Sequence, residues 1–205
     1  MRTQQFITMR PQNHQSKLLL ACLLLFSCFV VLHTDAKPTV PPVRVACVGN
    51  SITYGTGIAN RDKDSYPAQL QAMLGNKYLV GNFGKPGATL LRHGHRPYFK
   101  QQEFRDAMAF HADIAVIHLG INDTDPRNWP NYRDEFVTDY LALIDSLRQA
   151  NPKVRIILAR LSPIAHRHPR FISGTQQWHE QIQASIETVA AISGSELIDF
   201  HAPLY

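Results

Sequence analysis

Short runs of β-branched and apolar residues alternate with longer stretches of helical periodicity from Val43 onward, and this alternation limits the folds open to the chain. The runs predict strands at Val43–Gly49, Tyr78–Phe83, Asp113–Leu119, Val154–Leu161 and Glu196–Phe200. The stretches between them predict helices at Pro67–Leu74, Lys100–Phe110, Asp134–Ala150 and Gly174–Ile192. Because helices separate the strands, we expect an α/β fold of three α/β/α layers around a five-stranded parallel sheet in the order 2-1-3-4-5.

The first 36 residues have the order of a secretory signal peptide. Lys17 precedes an apolar run of 15 residues, Leu18–Leu32, and the small residue Ala36 ends the segment. A membrane-spanning helix fits less well, because it needs roughly 20 apolar residues. We therefore expect a signal peptide over residues 1–36, export to the periplasm or beyond, a Pro-rich linker over residues 37–42 and one domain over residues 43–205.

Charge and cysteine content exclude several classes of protein. The net charge is +5 with histidine neutral, and the basic residues are dispersed, so no nucleic-acid partner is expected. Cys22 and Cys28 lie in the predicted signal peptide, which leaves Cys47 as the one thiol of the mature chain. Since Cys47 lies in an apolar strand, we expect it to be buried and unreactive.

Polar residues and glycines occupy the loops that follow the first three predicted strands, where open parallel sheets bind their ligands. Ser51 can present a nucleophilic hydroxyl, whereas Gly87 and Asn122 can donate N–H groups to an oxyanion. Each residue alone has a plainer interpretation: Ser51 as a helix N-cap, and Gly87 and Asn122 as turn residues. Their occurrence at three successive strand ends favours an acyl-transfer site.

The motifs that contain these residues, GNSIT, NFGKPGAT and GIND, resemble three conserved blocks of the SGNH, or GDSL-type, hydrolases. The resemblance implies a flavodoxin-like fold, Ser51 as the nucleophile, and Gly87 and Asn122 as oxyanion donors. It also implies a reaction without a cofactor or a metal ion. Asn50 stands where the family name records Asp, and we expect its side-chain oxygen to preserve the geometry of the loop.

Two further segments, LRHGHRPY and HLGINDTDPRNWPNYRDEF, are similar to sialate O-acetylesterase-type carbohydrate esterases. This similarity implies hydrolysis of an O-acetyl ester on a sugar, so the expected partner is a small-molecule or glycan ester. Two alternatives remain open: a carbohydrate-binding pseudoenzyme, and a lysophospholipase or other lipid esterase of the same fold. A lipid esterase requires an apolar groove, whereas the loops carry polar and aromatic residues that favour a sugar: Arg92, His93, His95, Arg96, Tyr98, Asn128 and Trp129.

The general base is the main departure from the family pattern. The family supplies it from a D-x-x-H motif after the last strand, in which the Asp orients the His. Here one residue separates Asp199 from His201, and the sequence ends at Tyr205. We therefore expect the catalytic Asp and His and the closing helix to be missing, and the activity of this chain to be near background. A rearranged dyad of Asp199 and His201 is the alternative.

The remaining histidines and two arginines have plainer roles than catalysis. His118 lies within a predicted strand, so we expect it in the core. Arg96 and Arg127 follow the second and third motifs and can either bind a sugar carboxylate or form surface salt bridges. The H-x-H pairs lack a carboxylate or thiolate cluster at ligand spacing, so surface or substrate-lining positions are expected for them rather than metal binding: His93, His95, His166 and His168. His111 and His179 belong to predicted helical regions, and we expect them to be solvated.

Overall fold

The computed structural model describes residues 40–164 and 175–204. The chain divides after Val40, and the fold below is that of the second unit. The predicted signal peptide, residues 37–39 of the predicted linker, His166 and His168 lie outside the described residues. Residues 40–42, the described part of the predicted linker, form no regular element.

Five parallel strands form one sheet in the order β2-β1-β3-β4-β5, which confirms the predicted topology. Each strand lies within one residue of its predicted bounds at either end. The strands are β1 Val43–Gly49, β2 Tyr78–Gly84, β3 Ile114–His118, β4 Arg155–Arg160 and β5 Glu196–Asp199.

The described residues contain four helices of eight residues or more, all of which the periodicity predicted, and three short ones that it did not. In chain order they are α1 Ser51–Tyr54, α2 Arg61–Asp64, α3 Tyr66–Leu74, α4 Gln102–Ala109, α5 Trp129–Tyr132, α6 Phe136–Ala150 and α7 Thr175–Ser193. Single 3₁₀ turns occur at Gly75–Lys77, Tyr98–Lys100, Ile121–Thr124, Arg133–Glu135 and Ala202–Leu204. None of the helices in this part of the chain is long and apolar enough to cross a membrane.

Side chains on both faces of the sheet are buried, as expected for a parallel sheet between helical layers. Ala46 and Val48 join one apolar cluster with the buried residues of α6 and α7. Cys47 alternates with them and faces Tyr66 at the start of α3. Cys47 is buried, as predicted. Burial raises the pKa of its thiol to about 12, which makes it a poor nucleophile.

Two buried histidines hold the chain where it leaves β4. His118, the last residue of β3, accepts a hydrogen bond at Nε2 from the Ser162 N–H at 3.1 Å. His179 on α7 lies with Nε2 at 3.1 Å from the Ser162 carbonyl oxygen. His118 is in the core, as predicted, but the expectation that His179 is solvated was wrong, because His179 is buried at 6% exposure.

Burial lowers the pKa of His118 to about 4, with a smaller contribution from His179. The unfolded chain therefore takes up a proton between about pH 6.5 and 4 that the folded chain does not, so stability is lost as the pH falls through this range. His118→Gln keeps an acceptor for the Ser162 N–H and does not titrate. Between pH 7 and 4.5 we expect the wild type to lose about 2–3 kcal/mol of unfolding free energy relative to this variant.

Urea denaturation at the two pH values measures this difference. The exposed substitution His111→Gln is the matched control and should follow the wild type. If the stability of His118→Gln falls in parallel with that of the wild type, His118 is not the neutral buried group described here.

Candidate active site

Ser51 is the first residue of α1, directly after the turn that ends β1. Asn50 caps this helix: its Oδ1 accepts a hydrogen bond from the Ile52 N–H at 3.0 Å, and its Nδ2 donates to the His118 carbonyl oxygen at 3.4 Å. The N-cap role that was the plainer interpretation of Ser51 therefore belongs to Asn50. The side-chain oxygen of Asn50 thus makes the capping bond of this turn, and Ser51 Oγ is bonded to no other described residue.

Gly49 allows α1 to lie close to the ends of both β1 and β3. A Cβ atom at this position would lie 2.0 Å from Thr53 Oγ1 and 2.9 Å from the carbonyl oxygen of His118. Both distances are far below van der Waals contact. Glycine is thus required here by the close approach of its neighbours, and any side chain would displace the turn that carries Ser51.

The loop after β2 packs directly on the loop after β1. The Lys85 N–H donates to the Gly49 carbonyl oxygen at 2.9 Å, and a Cβ at Gly84 would lie 2.2 Å from the backbone nitrogen of Tyr54. Gly87 follows with φ of +76°, in the left-handed region that favours glycine. The second motif therefore reaches the Ser51 turn through main-chain contacts.

The loop after β3 is tied to the same place by Asn122, which lies in the 3₁₀ turn Ile121–Thr124. Its Nδ2 donates a hydrogen bond to the carbonyl oxygen of Ala88 at 2.9 Å. An amide nitrogen carries two hydrogens, so one remains for a further acceptor. The Asn122 side chain thus lies beside the residue that follows Gly87.

The three loops meet at the carboxyl edge of the sheet and leave donors unpaired there. Neither the Ser51 N–H nor the Gly87 N–H donates to any acceptor in the described part of the chain. Together with the second hydrogen of the Asn122 amide, they are the donor types of an oxyanion hole. The loops that carry Ser51, Gly87 and Asn122 are therefore neighbours. The roles of these residues as nucleophile and oxyanion donors remain predictions.

Asp123 holds the loop after β2 in place, a role that the sequence analysis missed. Its carboxylate is fully buried and accepts hydrogen bonds from the Leu90 N–H at Oδ2 and the Leu91 N–H at Oδ1, each at 2.9 Å. Burial raises the pKa of Asp123 to about 7, while these N–H groups act in the opposite direction by stabilising its ionised form. The adjacent Asn122 and Asp123 thus both bind the main chain of residues 88–91.

Asn128 makes a second connection between the two loops and is also fully buried. Its Oδ1 accepts a hydrogen bond from the His95 N–H at 2.9 Å, and its Nδ2 donates to the Asn122 carbonyl oxygen at 2.9 Å. The backbone on either side of the Asn122 side chain is therefore fixed. The only indication of this role in the sequence was the position of Asn128 in the segment that contains GIND.

The contacts of Asp199 do not favour the rearranged dyad. Its Oδ1 accepts hydrogen bonds from the backbone N–H groups of His201 and Ala202 at 2.6 and 3.1 Å, and Oδ2 lies 3.8 Å from Arg160. The His201 ring has its Nδ1 at 3.1 Å from the Leu161 carbonyl oxygen. Asp199 therefore caps the chain after β5, and among the described residues no base is bonded to Ser51.

Several residues that were expected to face a sugar lie in the core instead. Tyr98 and Asn128 are 0% exposed and Trp129 is 3% exposed, so this expectation was wrong for them. Each has its polar atoms paired internally: Tyr98 with the Phe83 carbonyl oxygen, Asn128 as above, and Trp129 with Gln181. The exposed side chains of the set are Arg92, His93, His95 and Arg96.

The two arginines near the site have different surroundings. Arg127 forms two 2.8 Å hydrogen bonds with the Asp125 carboxylate, which confirms the salt-bridge interpretation for this residue. Arg96 forms no ion pair within the described residues and donates one hydrogen bond, to the Pro86 carbonyl oxygen at 3.0 Å. Across residues 40–164 and 175–204, no group of three acidic, histidine or cysteine side chains is arranged to hold a metal ion.

Asp123→Asn tests whether Asp123 fixes the loop after β2. Asparagine has one acceptor oxygen where two backbone donors converge, so one buried N–H loses its partner, at a cost of about 1–3 kcal/mol. We expect that loss in urea denaturation at pH 8, together with faster hydrogen exchange at the Leu90 and Leu91 amides. Asp134→Asn, at a position that is 95% exposed, is the control. Unchanged protection of these two amides in Asp123→Asn would contradict the assignment.

Known proteins resemble this chain over most of its length. The acetylxylan esterase of Xylanibacter ruminicola is 37% identical over 190 residues that cover 83% of this chain, and this chain spans 38% of that relative's length. Among solved structures, the native aryl esterase of M. smegmatis has a TM-score of 0.60 at 16% identity, covering 77% of this chain and 83% of that one. A carbohydrate acetylesterase from Sinorhizobium meliloti has a TM-score of 0.56 at 18% identity, with the same two coverages.

At these identities the structural similarities show a shared fold, in agreement with the α/β topology described above. The sequence itself gives the family, because residues 47–205 match it over nearly the whole of the described domain. The chain belongs to the GDSL-like lipase/acylhydrolase family.

Proposed function

We propose that this chain carries the site of a serine esterase that removes O-acetyl groups from carbohydrates. The observation that carries the proposal is the meeting of three loops, where the Ser51 hydroxyl lies on a turn bonded to the loop of Gly87, and that loop is bonded to the Asn122 amide. Family membership supports ester hydrolysis. The similarity to an acetylxylan esterase supports an acetylated carbohydrate as the substrate.

In the proposed reaction, Ser51 Oγ attacks the acetyl carbonyl carbon as a base takes its proton. The negative charge that develops on the carbonyl oxygen is stabilised by the Ser51 N–H, the Gly87 N–H and the Asn122 amide. As the ester C–O bond breaks, the base returns its proton to the sugar oxygen, which leaves as an alcohol. Water then hydrolyses the acetyl-Ser51 ester, which releases acetate and regenerates the Ser51 hydroxyl. Asp123 and Asn128 keep the donors in position, so little reorganisation is needed as charge develops.

Two similarities bear on the identity of the sugar, and they point to different carbohydrates. The motif-flanking segments resemble sialate O-acetylesterases, whereas the relative at 37% identity is named for acetylxylan. Because both are O-acetylated carbohydrates, we propose this broader class as the substrate. The N-terminal order of charged, apolar and small residues supports export of the protein, which suits an extracellular polysaccharide.

A carbohydrate-binding role without turnover is a second candidate, favoured by one observation. Among the described residues, no histidine or carboxylate is bonded to Ser51 Oγ. A serine without a base retains a hydroxyl that is scarcely ionised at neutral pH, so binding can exceed turnover. Added imidazole distinguishes the two roles, because it can act as an external base at Ser51 in an esterase site and has no such effect in a binding module.

Ser51→Ala and Asn122→Ala test the esterase proposal on acetylated xylo-oligosaccharides, with acetate release measured with and without imidazole. Removing the nucleophile should abolish the imidazole-dependent release. Loss of one oxyanion donor should lower kcat by about 100- to 1,000-fold. Ser185→Ala removes a half-buried hydroxyl of α7 that donates to the Gln181 carbonyl oxygen, and it is the matched control, for which we expect wild-type rates.

Equal acetate release by the wild type and Ser51→Ala would reject Ser51 as the nucleophile. Binding of the oligosaccharides without any release that depends on Ser51, in the presence or absence of imidazole, would reject the esterase and support the binding module.

A further inference from the structure

Arg96 lies directly beside Gly87, at the rim of the candidate site. A Cβ atom on Gly87 would lie 3.1 Å from Arg96 Nη1 and 3.5 Å from Arg96 Cδ. The guanidinium and the stem of Arg96 therefore border the residue whose N–H is the proposed oxyanion donor. Since Arg96 is exposed, its positive charge is open to a ligand that occupies the site.

The backbone around Arg96 is fixed on both sides. Its carbonyl oxygen accepts a hydrogen bond from the Thr89 N–H at 2.9 Å, and the N–H of the preceding His95 is bound by the buried Asn128. The Arg96 side chain is held in turn by the Pro86 carbonyl oxygen at 3.0 Å. A cation that is already held in position loses less conformational entropy when it binds an anion.

Arg96 is also the cation near the site that lacks a carboxylate partner among the described residues. Its one hydrogen bond goes to a neutral carbonyl, so most of its five N–H donors have no acceptor there. The neighbouring cations are each paired with a carboxylate: Arg127 with Asp125, Arg92 with Asp139 and Lys85 with Glu103. Of these four cations, Arg96, which borders Gly87, is the one whose charge no described carboxylate balances.

We propose that Arg96 is a specificity-determining residue that binds the carboxylate of an acidic sugar next to the acetyl ester. This inference rests on the proposed function and narrows its substrate class. A guanidinium matches a carboxylate geometrically and can form two parallel hydrogen bonds with it, which a lysine could not. Uronic acids in branched xylan and sialic acids both present such a carboxylate, so the test contains a substrate of each kind.

The alternative is a purely structural role, called a strut here, in which Arg96 only holds the Gly87 loop in place through its hydrogen bond to the Pro86 carbonyl oxygen. A strut would serve every substrate equally, because the Gly87 donor is needed for each ester. A carboxylate-binding residue discriminates between an acidic sugar and its uncharged counterpart. The ratio of the two kcat/KM values therefore separates the roles.

The experiment compares the full chain with Arg96→Gln on two pairs of substrates. One pair is an acetylated xylo-oligosaccharide with a glucuronic acid branch and its carboxamide, and the other is an O-acetylated sialic acid and its carboxamide. For at least one pair, Arg96→Gln should lower the ratio of the acidic to the neutral kcat/KM about tenfold, which is equivalent to about 1.4 kcal/mol. The change should appear as a higher KM for the acidic sugar. Sodium chloride at 0.5 M should lower the wild-type ratio and leave that of the variant unchanged.

Arg127→Gln is the matched control, because it removes an exposed arginine whose charge Asp125 already balances. This control should keep the wild-type ratio for both pairs. The pair that responds to Arg96→Gln identifies the acidic sugar. If Arg96→Gln lowers both members of each pair by the same factor, Arg96 is a strut and the inference is overturned.

Calorimetric binding of the same sugars to Ser51→Ala, with and without Arg96→Gln, separates this inference from the proposed function. Tighter binding of the acidic sugar that depends on Arg96, without any hydrolysis by the wild type, would leave the inference standing and reject the esterase. Hydrolysis by the wild type with equal kcat/KM for acidic and neutral sugars would overturn the inference and leave the esterase standing.

Discussion

The buried carboxylate of Asp123 is the contact on which the geometry of the candidate site depends most. Taking a carboxylate out of water is costly unless its oxygens are hydrogen-bonded, and here both oxygens accept backbone N–H groups, from Leu90 and Leu91. The chain after β2 therefore has to follow a path that meets these oxygens. That path brings Ala88 to the amide of Asn122 and leaves Gly87 in a left-handed conformation at the edge of the sheet.

The fixed path of the loop after β2 also explains how the fold supports the proposed chemistry. Parallel strands end at one edge of the sheet, and close main-chain contacts at Gly49 and Gly84 bring the first two loops together. Asp123 and Asn128 then fix the third loop against the second, so the unpaired N–H groups are held by rigid main chain. This preorganisation is what electrostatic stabilisation of an oxyanion requires. Arg96 adds a charge beside these donors that the described protein does not neutralise.

The strands and long helices could be predicted because their apolar periodicity is local in sequence. The short helices α1, α2 and α5 escaped prediction, since four residues are too few for a periodic signal. Motifs indicated Ser51, Gly87 and Asn122. The residues that hold their loops, Asp123 and Asn128, bond to residues 32 or 33 positions away, and no local pattern reveals such contacts. The polar residues Asn128 and His179 were expected at the surface and are buried instead, because tertiary hydrogen bonds satisfy them.

A crystal structure of the protein after reaction with a serine-directed methylphosphonate tests the central claim most directly, because the phosphoryl oxygen of the adduct occupies the position of the oxyanion. We predict a covalent bond from phosphorus to Ser51 Oγ, with the phosphoryl oxygen about 2.7–3.1 Å from the Gly87 nitrogen and the Asn122 Nδ2. An adduct on Ser51 whose phosphoryl oxygen points away from both donors, or an adduct on another serine alone, would contradict it.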